Sequence, residues 1–444
     1  MEVLIENILA YLIVFVLIVF LLYFFNKKNK KKTTSTEQKI AKAKELGFHE
    51  PVSLHPVVNH DICIGSAACI AACPEKDILG LVNGKAKTVN ASRCVGHGAC
   101  FHACPVQAIT LCIGTETRGV ELPHVSREFE TTIPGIFIAG ELGGMGLIKN
   151  AVEQGKQAMS YLVTKINTTA KAEFDVVIIG AGPGGISATL EAAKRKLKFV
   201  TLEQDTLGGT VSNFPRAKVV MTSPMDIPLY GKVKLSETSK SELIELWKDV
   251  LTKNSIKINE QEKVEKIEKH EDHFIVQTPK NHYLTKTILI AIGRRGSPRK
   301  LGVLGEEKEK VAYRLLEPEL IHNKKILVVG GGDSAIENAL LLADEKNEVT
   351  LSYRKGSFSR IKPKNLERIN NAERSGKIKL LLNSEISEIL DNSVILNLKD
   401  NSDPYVIEND LVYIFAGGVL PIKFLEEIGI KITKKYGEAI LKHQ

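Results

Sequence analysis

The sequence predicts an α/β protein: two nested Rossmann-like dinucleotide-binding units, a small α+β unit rich in cysteine ahead of them, and one apolar transmembrane helix at the N-terminus. Three observations carry this reading. Strand–glycine loop–helix signatures begin at Phe174 and again at Lys324. Six of the seven cysteines fall into two similar half-motifs. Every residue from Ile8 to Phe25 lacks a charge or a strongly polar group. With 444 residues, 43% hydrophobic and 25% charged, the chain has globular averages, which exclude a disordered, fibrous or polytopic membrane protein. Its length calls for two or three domains.

The apolar run Ile8–Phe25 makes about 27 Å of helix, roughly the thickness of a bilayer core. Lys27, Lys28, Lys30, Lys31 and Lys32 follow at once, with Glu2 and Glu6 on the other side. Lysines beside a span stay in the cytoplasm. The expectation is a single-pass anchor in the cell inner membrane (residues 1–32), with the catalytic domains cytoplasmic. A cleaved signal peptide would want a basic start and a small-x-small cleavage site, and neither is present. Residues 33–56 read as a polar, helix-compatible linker. The net charge of +8 owes five units to this lysine run, so it marks topology, and no nucleic-acid partner is expected.

The next segment reads DICIGSAACIAACPEKDILGLV and then SRCVGHGACFHACPVQAITL. Cysteines stand at Cys63, Cys69 and Cys73, and again at Cys94, Cys100 and Cys104, each half ending in C-x3-C-P. Short ligand loops with small residues suit an iron–sulfur cube, which needs converging thiolates and close backbone N–H groups. Disulfides are disfavoured in a cytoplasmic domain, and the paired C-x2–4-C knuckles that zinc favours are absent.

Both halves resemble the bacterial two-cluster ferredoxins, whose pattern is C-x2-C-x2-C-x3-C-P and whose fourth cysteine ligates the other cluster. The resemblance implies a ferredoxin-like iron–sulfur domain over 57–112 with two clusters. One would be held by Cys63, Cys69 and Cys104, the other by Cys94, Cys100 and Cys73. Ser66 and His97 occupy the second cysteine position of each half. Two readings stay open for them. Each completes a four-ligand 4Fe-4S site, or both line the loop and leave three-cysteine sites for 3Fe-4S clusters. Cys112 lies outside the pattern and reads as a buried apolar residue.

In FDVVIIGAGPGGISATLEAAKRKLKFVTLEQD an apolar strand runs into Gly180, Gly182, Gly184 and Gly185, a helix follows, and the next strand ends in Glu203. Glycines in this context permit the tight turn and the close approach of a pyrophosphate to a helix N-terminus, and the acid meets a ribose hydroxyl. Gly209 and Thr210 complete the candidate set here. The second copy, KKILVVGGGDSAIENALLLADEKNEVTLSYRKGSFSR, carries Gly330, Gly332, Ser334 and Ala335. At the end of its next strand Ser352 and Tyr353 replace the acid, and Arg354, Lys355 and Arg360 follow. Cations without a carboxylate suit a 2′-phosphate, so NADPH is expected over NADH.

Two such units in series resemble the thioredoxin reductase-like flavoproteins, including the bacillithiol disulfide reductase type. The likeness runs from about Asp175 onward and includes ILIAIGRRGSP (288–298) and DLVYIFAGG (410–418). It implies FAD in the first unit (172–300), NADPH in the inserted second (301–420), a return to the FAD domain over 421–444, and often a homodimer. The segment that closes the family's FAD domain near its C-terminus is matched upstream, in FETTIPGIFIAGELGGMGLIKNAVEQGKQA (129–158). The order therefore looks circularly permuted, with 113–165 as the closing segment. Gly140 and Glu141 would meet the ribityl chain, Glu141 replacing an aspartate, while Ile148 and Ala151 open a helix toward the isoalloxazine. A permuted chain must bring residues 115–125 and 440–444 to the same side of the molecule.

Every cysteine lies between Cys63 and Cys112, so the nucleotide units hold no dithiol, and disulfide reduction through one is excluded by composition. What remains is an electron path among NADPH, FAD and two iron–sulfur clusters, ending on a redox protein or a membrane electron acceptor. No side chain is nominated as catalytic. An electron-input subunit of a larger complex and a non-turnover redox sensor are the alternatives. The basic run 293–300 reads as an interdomain linker, Ser236–Glu271 as surface helices with a β-ribbon, and Trp247 as packing with Leu243 and Leu251.

Overall fold

The computed structural model describes residues 2–45, 49–51, 53–75, 77–94, 96–144, 146–214, 219–221, 224–235, 237–294, 298–358, 361–399 and 401–443. It forms two compact units, residues 1–120 with 436–444, and residues 121–435.

In the first unit, helix α1 (Glu2–Glu45) is the one described helix long and apolar enough to cross a membrane, by length and composition, and its apolar window has no buried share. It does not stop at the lysines. Thr33 accepts the Asn83 N–H at 3.1 Å, Thr36 covers Gly80 so closely that a Cβ there would lie 2.6 Å from its methyl, and Lys39 pairs with Asp77 at 2.5 Å. Ala43 is buried. The expected linker is therefore helix through Glu45, and these contacts fasten it to the cysteine-bearing unit.

That unit has an antiparallel three-stranded sheet in the order His55–Val58, Ile109–Ile113, Glu438–Leu441 and a hairpin of Leu79–Val82 with Lys85–Thr88. Two short helices, α2 (Ala68–Ala72) and α3 (Ala99–Ala103), follow the two cysteine loops. The sequence repeat is also a backbone repeat. Ala67 and Gly98 cap the helices in the left-handed region at φ 59° and 74°, and Cys73 and Cys104 end them at φ −76° with ψ 116° and 112°.

Two larger sheets form the body of the second unit. Strands run in the order Lys266–Lys269, Phe274–Gln277, His282–Ile290, Phe174–Ile179, Phe199–Leu202. Ile136–Ile138 lies parallel to the C-terminal end of His282–Ile290, with Ile136 opposite Ile288. Helices α4 (Ile148–Thr164) and α5 (Pro183–Lys194) pack on it and on each other. Helix α6 (Lys240–Lys253) opens on a capping box of Ser239 and Glu242. It buries Trp247 against Leu243 and Leu251. The other sheet is parallel, in the order Val311–Ala312, Leu411–Ile414, Lys325–Val329, Glu348–Tyr353, Ile378–Leu382. It is flanked by α7 (Asp333–Asp344) and α8 (Pro363–Arg374). Near-continuous apolar strands such as KILVV suit its burial on both faces.

The end of the chain divides between the units. The Lys431 carbonyl accepts the His124 N–H at 2.8 Å, and the Thr433 hydroxyl donates to the Leu122 carbonyl at 3.4 Å. Farther on, Glu438 stands opposite Ile113 and Ala439 opposite Cys112. The return over 421–444 thus ends in the sheet of the cysteine-bearing unit and not in the nucleotide domain, because Glu438–Leu441 supplies a third strand beside Ile109–Ile113. Ile432–Lys435 pairs with Val120–Pro123, so the two stretches of chain lie side by side.

Candidate functional site

The glycines of the two loops divide by what a side chain would meet. A Cβ on Gly185 would lie 1.8 Å from the Gly180 carbonyl oxygen, and one on Gly180 2.7 Å from that of Ala291. These residues let strand and helix close together. Gly182, the N-cap of α5, has nothing within 4 Å of its Cβ position. The second loop repeats the division. Gly330 would clash with the Phe415 carbonyl oxygen at 2.5 Å, Ala335 is buried beside it, and Gly332, the N-cap of α7, is open. Each loop leaves bare backbone at a helix N-terminus, where N–H groups and the helix dipole favour an anion. The residues present therefore fit a pyrophosphate in both places. Both loops line one cavity of about 1400 Å³.

Glu203 is buried at the end of its strand. Its Oε2 accepts the Ala181 N–H at 2.7 Å and its Oε1 the Asp205 N–H at 2.9 Å. Burial pushes its carboxyl up, and these two donors work against the rise. Gly209 (φ +55°) sits over Gly182, and it lines the cavity with Thr210 and Gly184. From the upstream segment, Gly140, Glu141, Ile148 and Ala151 line the same cavity. The Gly140 N–H donates to Gln154 Oε1 at 2.9 Å, and a Cβ on Gly155 of α4 would lie 2.1 Å from the Gly184 carbonyl oxygen. The segment 129–158 is thereby clamped to the first nucleotide loop.

Around the second loop, Gly330, Gly332, Ser334, Ser352, Tyr353, Arg354 and Lys355 line the cavity. Ser352 is buried, sharing a 2.8 Å hydrogen bond with the Ser384 hydroxyl. The Tyr353 ring covers Gly331 and stacks on Phe358 at 5.4 Å, while Arg354 and Lys355 are exposed. Arg360 lies outside the described residues. Two participants were not picked out from sequence. Asn338 Oδ1 is buried without a partner on the cavity wall. Arg294 carries a buried, unpartnered Nε; burial lowers its pKa and the Glu141 carboxylate opposes that. A basic run hid Arg294, and only its place directly after a strand-end glycine signals a role.

The six cysteines sort by mutual influence. Burial raises the Cys69 thiol, and Cys104 and Cys63 add to the rise. Burial pushes Cys94 up to about 11 with help from Cys73 and Glu75. It pushes Cys100 up to about 12, with Cys94 and Cys73 next among the thiols. Cys63, Cys69 and Cys104, drawn from both halves of the repeat, line one small cavity, while Cys100 feels Cys94 and Cys73 first and Cys69 after them. Sulfur receives backbone donors: the Ala86 N–H on Cys63 at 3.4 Å and the Ala108 N–H on Cys104 at 3.2 Å. Among the described residues no three His, Cys, Asp or Glu side chains close around a single metal ion. Neighbouring thiols that receive backbone N–H donors fit an iron–sulfur cluster. Ser66 lines a small cavity with Cys63, Cys69 and Cys104. His97 is half-buried, which lowers its pKa against the pull of Glu75. Cys112 is buried opposite His55 and Ala439.

Residues 177–444, more than half of the chain, match the model of the pyridine nucleotide-disulphide oxidoreductases. The chain belongs to that family. Residues 55–105 of this oxidoreductase match the 4Fe-4S dicluster domain. It is 27% identical over 273 residues to the bacilliredoxin reductase Bdr of Bacillus subtilis, covering 60% of this chain and 84% of that one. It is 26% identical over 267 residues to a ferredoxin–NADP reductase of Ignicoccus hospitalis, covering 59% and 83%. Among solved structures, bacillithiol disulfide reductase Bdr from Staphylococcus aureus aligns with a TM-score of 0.53 at 25% identity, covering 60% of this chain and 86% of that one. The oxidoreductase match begins at Val177, after α4, yet α4 packs closely on α5 within the same unit.

Proposed function

We propose that the chain is a membrane-anchored, NADPH-dependent flavoprotein oxidoreductase that passes electrons between NADPH, FAD and two iron–sulfur clusters, and onward to a protein or membrane redox acceptor. The observation that carries the reading is where the sulfur lies. All seven cysteines fall between Cys63 and Cys112, six of them in the two half-motifs, and the nucleotide-loop segments contain none. Relatives are named as disulfide reductases and as ferredoxin–NADP reductases. With no cysteine in the nucleotide units, the second class is the better guide to this chain.

When bound, FAD and NADPH supply hydride transfer and the clusters supply one-electron transfer. The chain's part is to hold them. Gly182 and Gly332 leave backbone free for the two pyrophosphates, Glu203 suits a ribose of the first nucleotide, and Arg354 and Lys355 suit a 2′-phosphate on the second. Glu141 lines the cavity, and its carboxylate opposes the lowering that burial imposes on the Arg294 pKa. Helix α1 supports a single-pass anchor with the rest of the chain on the lysine side.

The test is anaerobic purification of the full chain, iron, sulfide and flavin analysis, and stopped addition of NADPH. Bleaching of flavin absorbance followed by EPR signals of reduced iron–sulfur centres is expected, then turnover with quinones or ferredoxins offered side by side. Flavin bleaching with no iron–sulfur reduction would remove the electron path. Reduction of low-molecular-weight disulfides at comparable rates would restore the disulfide reductase reading.

A further inference from the structure

We infer that the loop carrying Cys63 and Cys69 faces the lipid surface, with Ile62 and Ile64 entering the interface of the bilayer that α1 spans; this rests on α1 being a membrane span. The orientation follows from how α1 meets the first unit. Along the helix, away from the apolar segment, Thr33, Thr36 and Lys39 meet Asn83, Gly80 and Asp77 in turn. The strand Leu79–Val82 therefore runs back toward the span, and its turn at Asn83 and Gly84 is the part of the hairpin nearest the membrane.

Height is fixed as well. Thr33 stands eight residues beyond Phe25 in one uninterrupted helix, which is about 12 Å of rise. The headgroup layer takes up roughly 5–8 Å of that distance. The turn therefore lies close to the lipid surface. Against the turn lies the cysteine loop: a Cβ on Gly65 would be 1.8 Å from the Gly84 carbonyl oxygen, so the two backbones are in direct contact. Lys85 ties the same corner together, its ammonium donating to the His60 carbonyl at 2.6 Å.

At this corner two large apolar side chains point outward. Ile62 is 48% and Ile64 66% exposed, on either side of the buried Cys63. Isoleucines flanking a buried thiol at the membrane-facing end of a unit, with five lysines on the adjoining helix, match what an anionic lipid interface takes up: apolar side chains below the headgroups and cations among them. The Cys63, Cys69 and Cys104 group is then the one presented to the membrane.

Trp247 is the chain's single tryptophan and is fully buried, so an added tryptophan reports on its own surroundings. The full-length chain is reconstituted into phosphatidylcholine–phosphatidylglycerol vesicles whose acyl chains are brominated near the headgroup. Ile64→Trp, and independently Ile62→Trp, is expected to lose roughly half of its added fluorescence, as an interfacial side chain does. Lys44→Trp, at the far end of α1, is expected to keep it. Phe20→Trp reports on the span itself, and cofactor absorbance confirms that each variant is folded. Quenching of Phe20→Trp without quenching at 62 or 64 overturns the inference and leaves the anchor standing. No quenching at Phe20→Trp removes both. Equal quenching at 44 and 64 overturns the orientation.

Discussion

Gly155→Ala separates a closing segment that is part of the nucleotide unit from one that merely follows it in the chain. The new methyl would fall 2.1 Å from the Gly184 carbonyl oxygen, 3.0 Å from its carbon and 3.2 Å from the Ala188 nitrogen. A normal carbon–oxygen contact is about 3.3–3.6 Å, so α4 and α5 must separate by more than an ångström. Overpacking of this kind costs about 1–3 kcal/mol. The higher helix propensity of alanine returns at most ~1 kcal/mol of it. At about 2–4 °C per kcal/mol in domains of roughly 150–250 residues, the unfolding midpoint should fall by several degrees. Because α4 presses on the N-terminal turn of α5, flavin retention through gel filtration should fall with it. Gly182→Ala is the matched control, since its Cβ enters open space; it should weaken flavin binding without lowering the midpoint of the apoprotein. Calorimetry and bound-flavin absorbance read both. An unchanged midpoint and full flavin occupancy in Gly155→Ala would show that residues 113–165 do not build the site.

Other outcomes follow from the same structure. His97→Cys should lower the midpoint potential of one cluster, since a thiolate replaces a neutral imidazole; an unmoved potential in redox-titrated EPR counts against His97 as a ligand. Replacing Arg354 and Lys355 together by alanine should raise KM for NADPH about tenfold, near 1.4 kcal/mol, with little change for NADH; equal effects on both would sink the 2′-phosphate assignment. Burial works to raise the Asp175 carboxyl, but the Lys198 N–H and the Lys286 ammonium, 3.0 Å away, hold it below the ordinary aspartate range. Its folded pKa is depressed, so its stabilisation is present above the unfolded pKa and lost as pH falls through the folded one. Asp175→Asn should therefore cost about 1 kcal/mol at neutral pH and progressively less in acid, as measured by denaturant unfolding across pH. A pH-independent difference would refute that linkage.

Local signals carried much of this architecture. Gly180, Gly182 and Gly185, and their counterparts at 330, 332 and 335, could be read because turn, approach and packing each demand a small residue at a fixed offset. The upstream segment 129–158 could be read because its apolar strand, glycines and helix follow one another without interruption. What stayed hidden was tertiary. Thr33, Thr36 and Lys39 look like a solvated linker until a hairpin lies against them. The strand Glu438–Leu441 is too short and mixed to declare its sheet. His443, stacked on Phe101 at 3.6 Å, had no sequence signal at all. Arg294 resembled its solvated neighbours, and only the nearby Glu141 gives it a distinct environment.

The third strand beside Ile109–Ile113 has a consequence for how the protein is made. The two partners of that sheet are separated by more than 300 residues of chain. At about 5–20 residues per second, roughly 15–60 s of translation pass between them. For that interval the cysteine-bearing unit exists without its closing strand, while the nucleotide unit is synthesised and folds. A ribosome that stalls inside the nucleotide unit therefore leaves this sheet with two of its three strands, and Ile109–Ile113 with an open edge.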